Sequence, residues 1–135
     1  MELEQQNLDA FSIFIYNTKS ASTKGYYLRR LKIFFDYIGL YPYKTINERC
    51  NYFAEKGKEN SEWAFNNIIR FLQFQKERVE RGEITSGTVK NYWKPIKLLC
   101  ESGNVNITSK RITRGLPKVR RYANYRLPLL KRLEK

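Results

Sequence analysis

The 135-residue sequence contains no histidine. That absence excludes histidine-based triads, histidine general bases and Cys/His zinc sites, and most familiar enzyme chemistry goes with them. Cysteine is scarce as well. Cys50 and Cys100 stand far apart without a C-x-x-C pair, so neither a disulfide framework nor a thiol redox motif is indicated, and a reducing interior is expected. Both are assigned to the core as small apolar residues. No run of about 18 apolar residues occurs, and the opening MELEQQNLDAF has neither the basic nor the apolar region of a signal peptide. A cytoplasmic, nucleoid-associated protein is therefore expected. No carboxylate pair has a spacing that indicates a metal or an acid/base couple, so no metal, cofactor or small-molecule substrate is expected.

What the chain does have is positive charge and aromatic rings. Its length suits a single core, and with 41% hydrophobic and 15% aromatic residues it can bury one despite its charge. Lysine and arginine number 26 against 13 aspartates and glutamates, a net +13 that seeks a polyanion. The excess is uneven. Residues 1–60 hold nine basic against seven acidic residues, residues 61–106 seven against five, and residues 107–135 ten against one. Charge alone fits a solvated tail. The run ITSKRITRGLPKVRRYANYR, however, interleaves arginines with Leu116, Val119, Tyr122 and Tyr125 and is interrupted at Gly115-Leu116-Pro117. That pattern predicts an extended strap able to follow a phosphate backbone. The same interruption, and the lack of a long amphipathic face, argue against a membrane surface as partner.

No segment alternates with a period of two, so the predicted fold class is all-α. Leu8, Phe11 and Ile15 predict a first helix over 8–18. A second begins near Ser22 or Thr23 and stops at Gly39, burying Tyr27, Leu31, Phe34, Phe35 and Ile38. A short helix over 47–56 follows, ended by a break at Gly57–Asn60. A longer one runs over 61–81 with Ala64, Ile68, Phe71, Leu72 and Gln75 inward. The last spans Ser86 or Thr88 to Ser102. Pro95 lies inside it, which predicts a kink or break at Lys94–Pro95.

Two of these helices share one arrangement at an offset of 65 residues: Thr23-x3-Tyr27-x3-Leu31-x2-Phe34 and Thr88-x3-Tyr92-x3-Ile96-x2-Leu99. The apolar positions form a buried stripe on each. The outward positions correspond too, with Arg29 matching Lys94, Lys32 matching Lys97 and Tyr26 matching Asn91, and Asp36 and Glu101 closing the far ends. Two such helices can each enter a groove of duplex DNA. Asn91 suits adenine, and Arg29 or Lys94 suits guanine. The plainer alternatives are that Asn91 caps or solvates and that Lys94 touches phosphate.

The stretches STKGYYLRRLKIFF, FLQFQKERVERGEITSGTVKNYWKPIKLLCE and ITRGLPKVRRYANYR resemble the SAM-like N-terminal core-binding domain of tyrosine recombinases, the phage-type integrases, most closely the archaeal ones. The resemblance covers roughly residues 8–128. It implies a four- to five-helix bundle over 1–106 that grips one side of double-stranded DNA with its second and fourth helices. A basic linker over 107–135 would then lead into the truncated start of a missing catalytic domain. Carried over, the DNA-binding candidates are Lys24, Tyr26, Arg29, Lys32, Thr88, Lys90, Asn91, Lys94 and Lys97 on the helices, and Lys110, Arg111, Arg114, Lys118, Arg120, Arg121 and Arg126 in the linker.

Relatives enter the catalytic domain through an Arg-x-Pro-Thr-Leu-Glu-Glu-Ile-like start. This chain instead reads Asn124-Tyr125-Arg126-Leu127-Pro128-Leu129-Leu130-Lys131-Arg132 and stops at Lys135, leaving no place for the cationic cluster a nucleophilic tyrosine needs. The expected function is duplex DNA binding in integration or recombination, or in its regulation, without catalysis by this chain alone. Two alternatives are a protein-interaction module that pairs with a full-length recombinase through Leu127, Leu129, Leu130 and Leu133, and an RNA or single-strand binder using exposed tyrosines.

Overall fold

The computed structural model describes residues 8–118, and among them every regular element is an α-helix. In chain order these are α1 Ala10–Asn17, α2 Ala21–Ile38, α3 Ile46–Glu59, α4 Ser61–Glu80, α5 Ser86–Ser102 and α6 Ser109–Thr113. None is long and apolar enough to cross a membrane. Arg120, Arg121, Arg126 and the leucines at 127–133 lie outside the described residues.

Local chemistry sets the helix ends. Asp9 caps α1 by accepting from the Ser12 amide at 2.8 Å. Ser20, rather than Ser22 or Thr23, caps α2: its hydroxyl accepts from the Thr23 amide, so the helix starts two or three residues earlier than expected. Gly39 ends α2 in the left-handed conformation at φ 71°, the position its lack of a Cβ makes accessible. Thr45 and Glu48 cap each other at the start of α3 in a reciprocal capping box.

The break expected over Gly57–Asn60 falls only at its end, because α3 continues through Gly57 to Glu59. Gly57 is a packing residue instead, since a Cβ there would lie 3.0 Å from Val105 Cγ1 and 3.2 Å from the Ala64 Cβ. The chain turns three residues later, at Asn60. Its amide donates to the Lys56 carbonyl while its side chain accepts from the Trp63 amide, so one residue closes α3 and opens α4.

Pro95 does not break α5 either, which is a single helix from Ser86 to Ser102. An interior proline costs about 3 kcal/mol. Here Pro95 is itself buried, as are Trp93, Ile96, Leu99 and Cys100 of the same helix, and burying each large apolar side chain returns about 1.5–3 kcal/mol. Packing outweighs the lost backbone bond. α5 is the central rod and packs against α1, α2, α3 and α4.

An aromatic chain ties the bundle together. Phe34 of α2 meets Phe53 of α3 at 5.4 Å and Phe71 of α4 at 5.1 Å, and Phe71 meets Tyr92 of α5 edge-on at 5.2 Å. The inward stripe of α4 is Ala64, Ile68, Phe71, Leu72 and Gln75, as its periodicity predicts.

The extended strap expected from residue 107 onward is helical over Ser109–Thr113. Ile112 is fully buried in the core, with Ile107 and Leu116 packed against it, so the packed unit does not end at residue 106. These three apolar residues give the segment a reason to fold back. The described part is thus five bundle helices plus a sixth short one.

Candidate nucleic-acid interface

Lys90, Lys94 and Lys97 stand at i, i+4 and i+7 on α5 and therefore share one face. Opposite them the chain leaving α6 brings Arg114 and Lys118. Between the two walls lies an open groove of about 510 Å³, with Trp93, Leu116 and Pro117 among its lining and no carboxylate. Folding thus assembles five of the expected contact residues around one acid-free groove.

Glu101 stands at the far end of the lysine face and outside the groove lining, and three other acids are engaged elsewhere. Glu83 holds Arg78 at 3.0 Å and Arg81 at 2.8 Å, Asp36 holds Lys32 and Arg49 at 2.9 Å each, and Glu62 holds Arg111 at 3.3 Å. Two of the expected DNA contacts are changed by this. Lys32 is compensated by Asp36 four residues on, and the Arg111 guanidinium sits over the Phe65 ring, 3.8 Å from its centroid, while pairing with Glu62. Arg111 fastens α6 to the first turns of α4, a packing role that its charge concealed in the sequence.

Asp36, expected only to mark the distal end of the α2 face, is a structural hub. Arg49 is 2% exposed, and its Nε donates to the Leu40 carbonyl at 2.7 Å. Its Nη2 sits 2.9 Å from Asp36 Oδ1, an ion-pair contact whose angle falls outside hydrogen-bond geometry. Partial burial works to raise the Asp36 pKa, but the Lys32 hydrogen bond and the close cationic contacts of Lys32 and Arg49 together overcome it and leave the carboxyl below its ordinary value.

The remaining α2 candidates sit on its outer face. Lys24, Tyr26 and Arg29 are exposed, as are Ile33 and Tyr37 beside them. Tyr26 is tied to its neighbours by Arg30, which sequence reasoning passed over. The Arg30 guanidinium lies 4.5 Å from the Tyr26 ring and 4.7 Å from the Tyr92 ring, and it donates to the Tyr26 hydroxyl. The pair bridges α2 and α5. Its signal was the Tyr26-x3-Arg30 spacing at the edge of the outward face.

On α5, Asn91 and Thr88 are half-buried rather than outward, and the Thr88 hydroxyl lies 3.1 Å from that of Thr85. Asn91 is about 100° round the helix from Lys90, so it does not belong to the lysine face. Lys110 is exposed on α6 but does not line the groove.

Burial pushes the thiols of Cys50 and Cys100 up to about 12, consistent with their assignment to the core. Among the described residues no cluster of three metal-ligating side chains is present. No protein-family model, no curated protein and no solved structure matches the chain.

Proposed function

We propose that the chain is a duplex-DNA-binding module acting in DNA integration or recombination, or in its regulation, and that its role is binding rather than catalysis. The observation that carries the binding reading is the acid-free groove walled by Lys90, Lys94 and Lys97 on one side and Arg114 and Lys118 on the other. Unpaired cations converging on one concavity neutralise a phosphate backbone and release its counterions. The link to recombination rests on the resemblance of the α2, α5 and 112–126 sequences to core-binding domains.

Duplex is favoured over single strand by where the rings are. Among the described tyrosines the two most exposed, Tyr16 at 84% and Tyr43 at 78%, lie on α1 and on the α2–α3 connection, and the one aromatic ring that lines the cationic groove, Trp93, is buried at 5% exposure. A stacking platform needs rings beside the backbone track.

The test is a binding titration on a 20-base-pair duplex from about 50 to 300 mM salt. Five contacted phosphates give a slope of log K against log salt near −4.5, at about 0.9 per phosphate. A slope near zero overturns the proposal, and preference for RNA or single-stranded DNA at fixed salt overturns the duplex assignment.

A further inference from the structure

The two helices matched by the 65-residue repeat are buried to different depths. On α5 the exposed residues are Lys90, Lys94, Lys97 and Glu101 and no others. At 100° per residue these four cover only about 60° of the helix circumference. α5 therefore shows solvent a single ridge, because four other helices pack around it. From Gly25 onward, α2 exposes Tyr26, Arg29, Lys32, Ile33, Asp36 and Tyr37, which cover about 140°.

A helix that reads base edges must sink into the major groove and present polar and apolar groups across its width. α5 lacks that width, and its ridge carries only amines before Glu101. An ammonium is a point charge suited to phosphate, without the bidentate geometry of arginine or an amide. From Lys90 to Lys97 the ridge is about 10.5 Å long at 1.5 Å per residue. Phosphates recur about every 3.4 Å of axis along one strand and stand further apart along the backbone itself, so a ridge of that length meets about two of them.

Resting on the duplex-binding reading, we infer that the two helices divide the work. The Lys90–Lys94–Lys97 ridge runs along one phosphate backbone irrespective of sequence, with Arg114 and Lys118 on the opposite side of the same track. α2 supplies the face that enters the groove. Its Arg29 matches guanine, and Ile33, 40% exposed, offers apolar surface to thymine methyl groups, while the Tyr37 ring is stacked on Phe74 of α4. Arg30 holds Tyr26 in place at the junction of the two elements.

The experiment measures affinity, salt slope and sequence preference on a randomised 20-base-pair duplex library for the wild type, Lys90→Ala, Lys94→Ala, Lys97→Ala and Arg29→Ala. These positions are exposed and alanine favours helix, so unchanged helical content by circular dichroism is the folding control. Each lysine variant is expected to flatten the slope by about 0.9 and to weaken every sequence by the same factor, while Arg29→Ala alters the preferred sequences. Altered preferences in a lysine variant place α5 in base reading and overturn the inference. So do unchanged slopes in all three lysine variants, or a uniform loss in Arg29→Ala. If the wild type itself shows no salt-dependent duplex binding, it is the proposed function that falls. A steep wild-type slope with inert lysine variants removes only the division of labour.

Discussion

Replacing Asp36 with asparagine should move stability and DNA affinity in opposite directions. The carboxylate faces the Arg49 guanidinium at 2.9 Å, and Arg49 is 2% exposed with the Leu40 carbonyl as its other acceptor. Leaving a buried charge without its counter-ion costs about 3–5 kcal/mol when both groups are buried. Asp36 is 44% exposed, so water reaches its side of the pair, and the expected loss is nearer 1.5–2 kcal/mol in urea unfolding at pH 7. The folded pKa of Asp36 is below its ordinary 3.8. Its charge therefore contributes stability that is fully present above pH 3.8 and is lost as pH falls through the depressed folded value. The gap between wild type and Asp36→Asn should be constant near neutrality and close below about pH 4. At the same time the substitution frees Lys32, which Asp36 now holds at 2.9 Å. Duplex binding should tighten and its salt slope steepen by up to about 0.9. Equal stability of the two proteins at pH 7, or a gap that persists unchanged at pH 3, would refute the structural role assigned to Asp36. Unaltered binding would show that Lys32 stands clear of the DNA.

Gly103→Ala brings a Cβ to 2.6 Å from the Ala54 Cβ and 3.2 Å from the Ala10 Cβ, an overpacking expected to cost about 1–3 kcal/mol. Gly87→Ala, with only Thr85 Oγ1 at 3.9 Å, should instead stabilise α5 by about 0.5–1 kcal/mol, and thermal melts of the pair that move the same way would contradict the packing. Because burial raises both thiols to about 12, iodoacetamide at pH 8 should label Cys50 and Cys100 only as the chain unfolds; fast labelling of the native protein would refute their burial. Arg111→Ala should leave the DNA salt slope unchanged, since Glu62 already pairs with that charge, while speeding hydrogen exchange over 109–113. Arg114→Ala should flatten the slope by about 0.9.

The inward stripes were legible because burial follows a period of 3.6 residues. Leu31, Phe34 and Phe35 on α2, the five inward residues of α4, and Tyr92, Ile96 and Leu99 on α5 all lie where that period puts them. Gly39 was legible because its left-handed conformation is a local property. Gly57 was misread for the complementary reason. Its lack of a side chain serves contacts with Val105 and Ala64, which depend on how distant segments meet. The helix expected to run to Ser102 does so without a break at Pro95, because tertiary burial exceeded a local cost. In α6 the clue was present but overshadowed, since Ile107, Ile112 and Leu116 could be recognised as anchors only by setting the surrounding charge aside.

Counting charge along the sequence placed most of the excess after residue 106 and left 61–106 nearly balanced, at seven basic against five acidic residues. The groove nevertheless takes three of its five cations, Lys90, Lys94 and Lys97, from that balanced stretch. A sum along the chain averages over faces that folding separates. In 61–106 four of the five acids, Glu62, Glu77, Glu80 and Glu83, belong to α4 and the turn after it, where Glu83 holds Arg78 and Arg81 and Glu62 holds Arg111. The lysines belong to α5, and only Glu101, at the end of the ridge, accompanies them. The quantity that sets the response to salt is thus the number of cations that both face one concavity and lack an acid partner. That number is five in the described residues, so the salt slope of residues 8–118 follows the groove rather than the net charge.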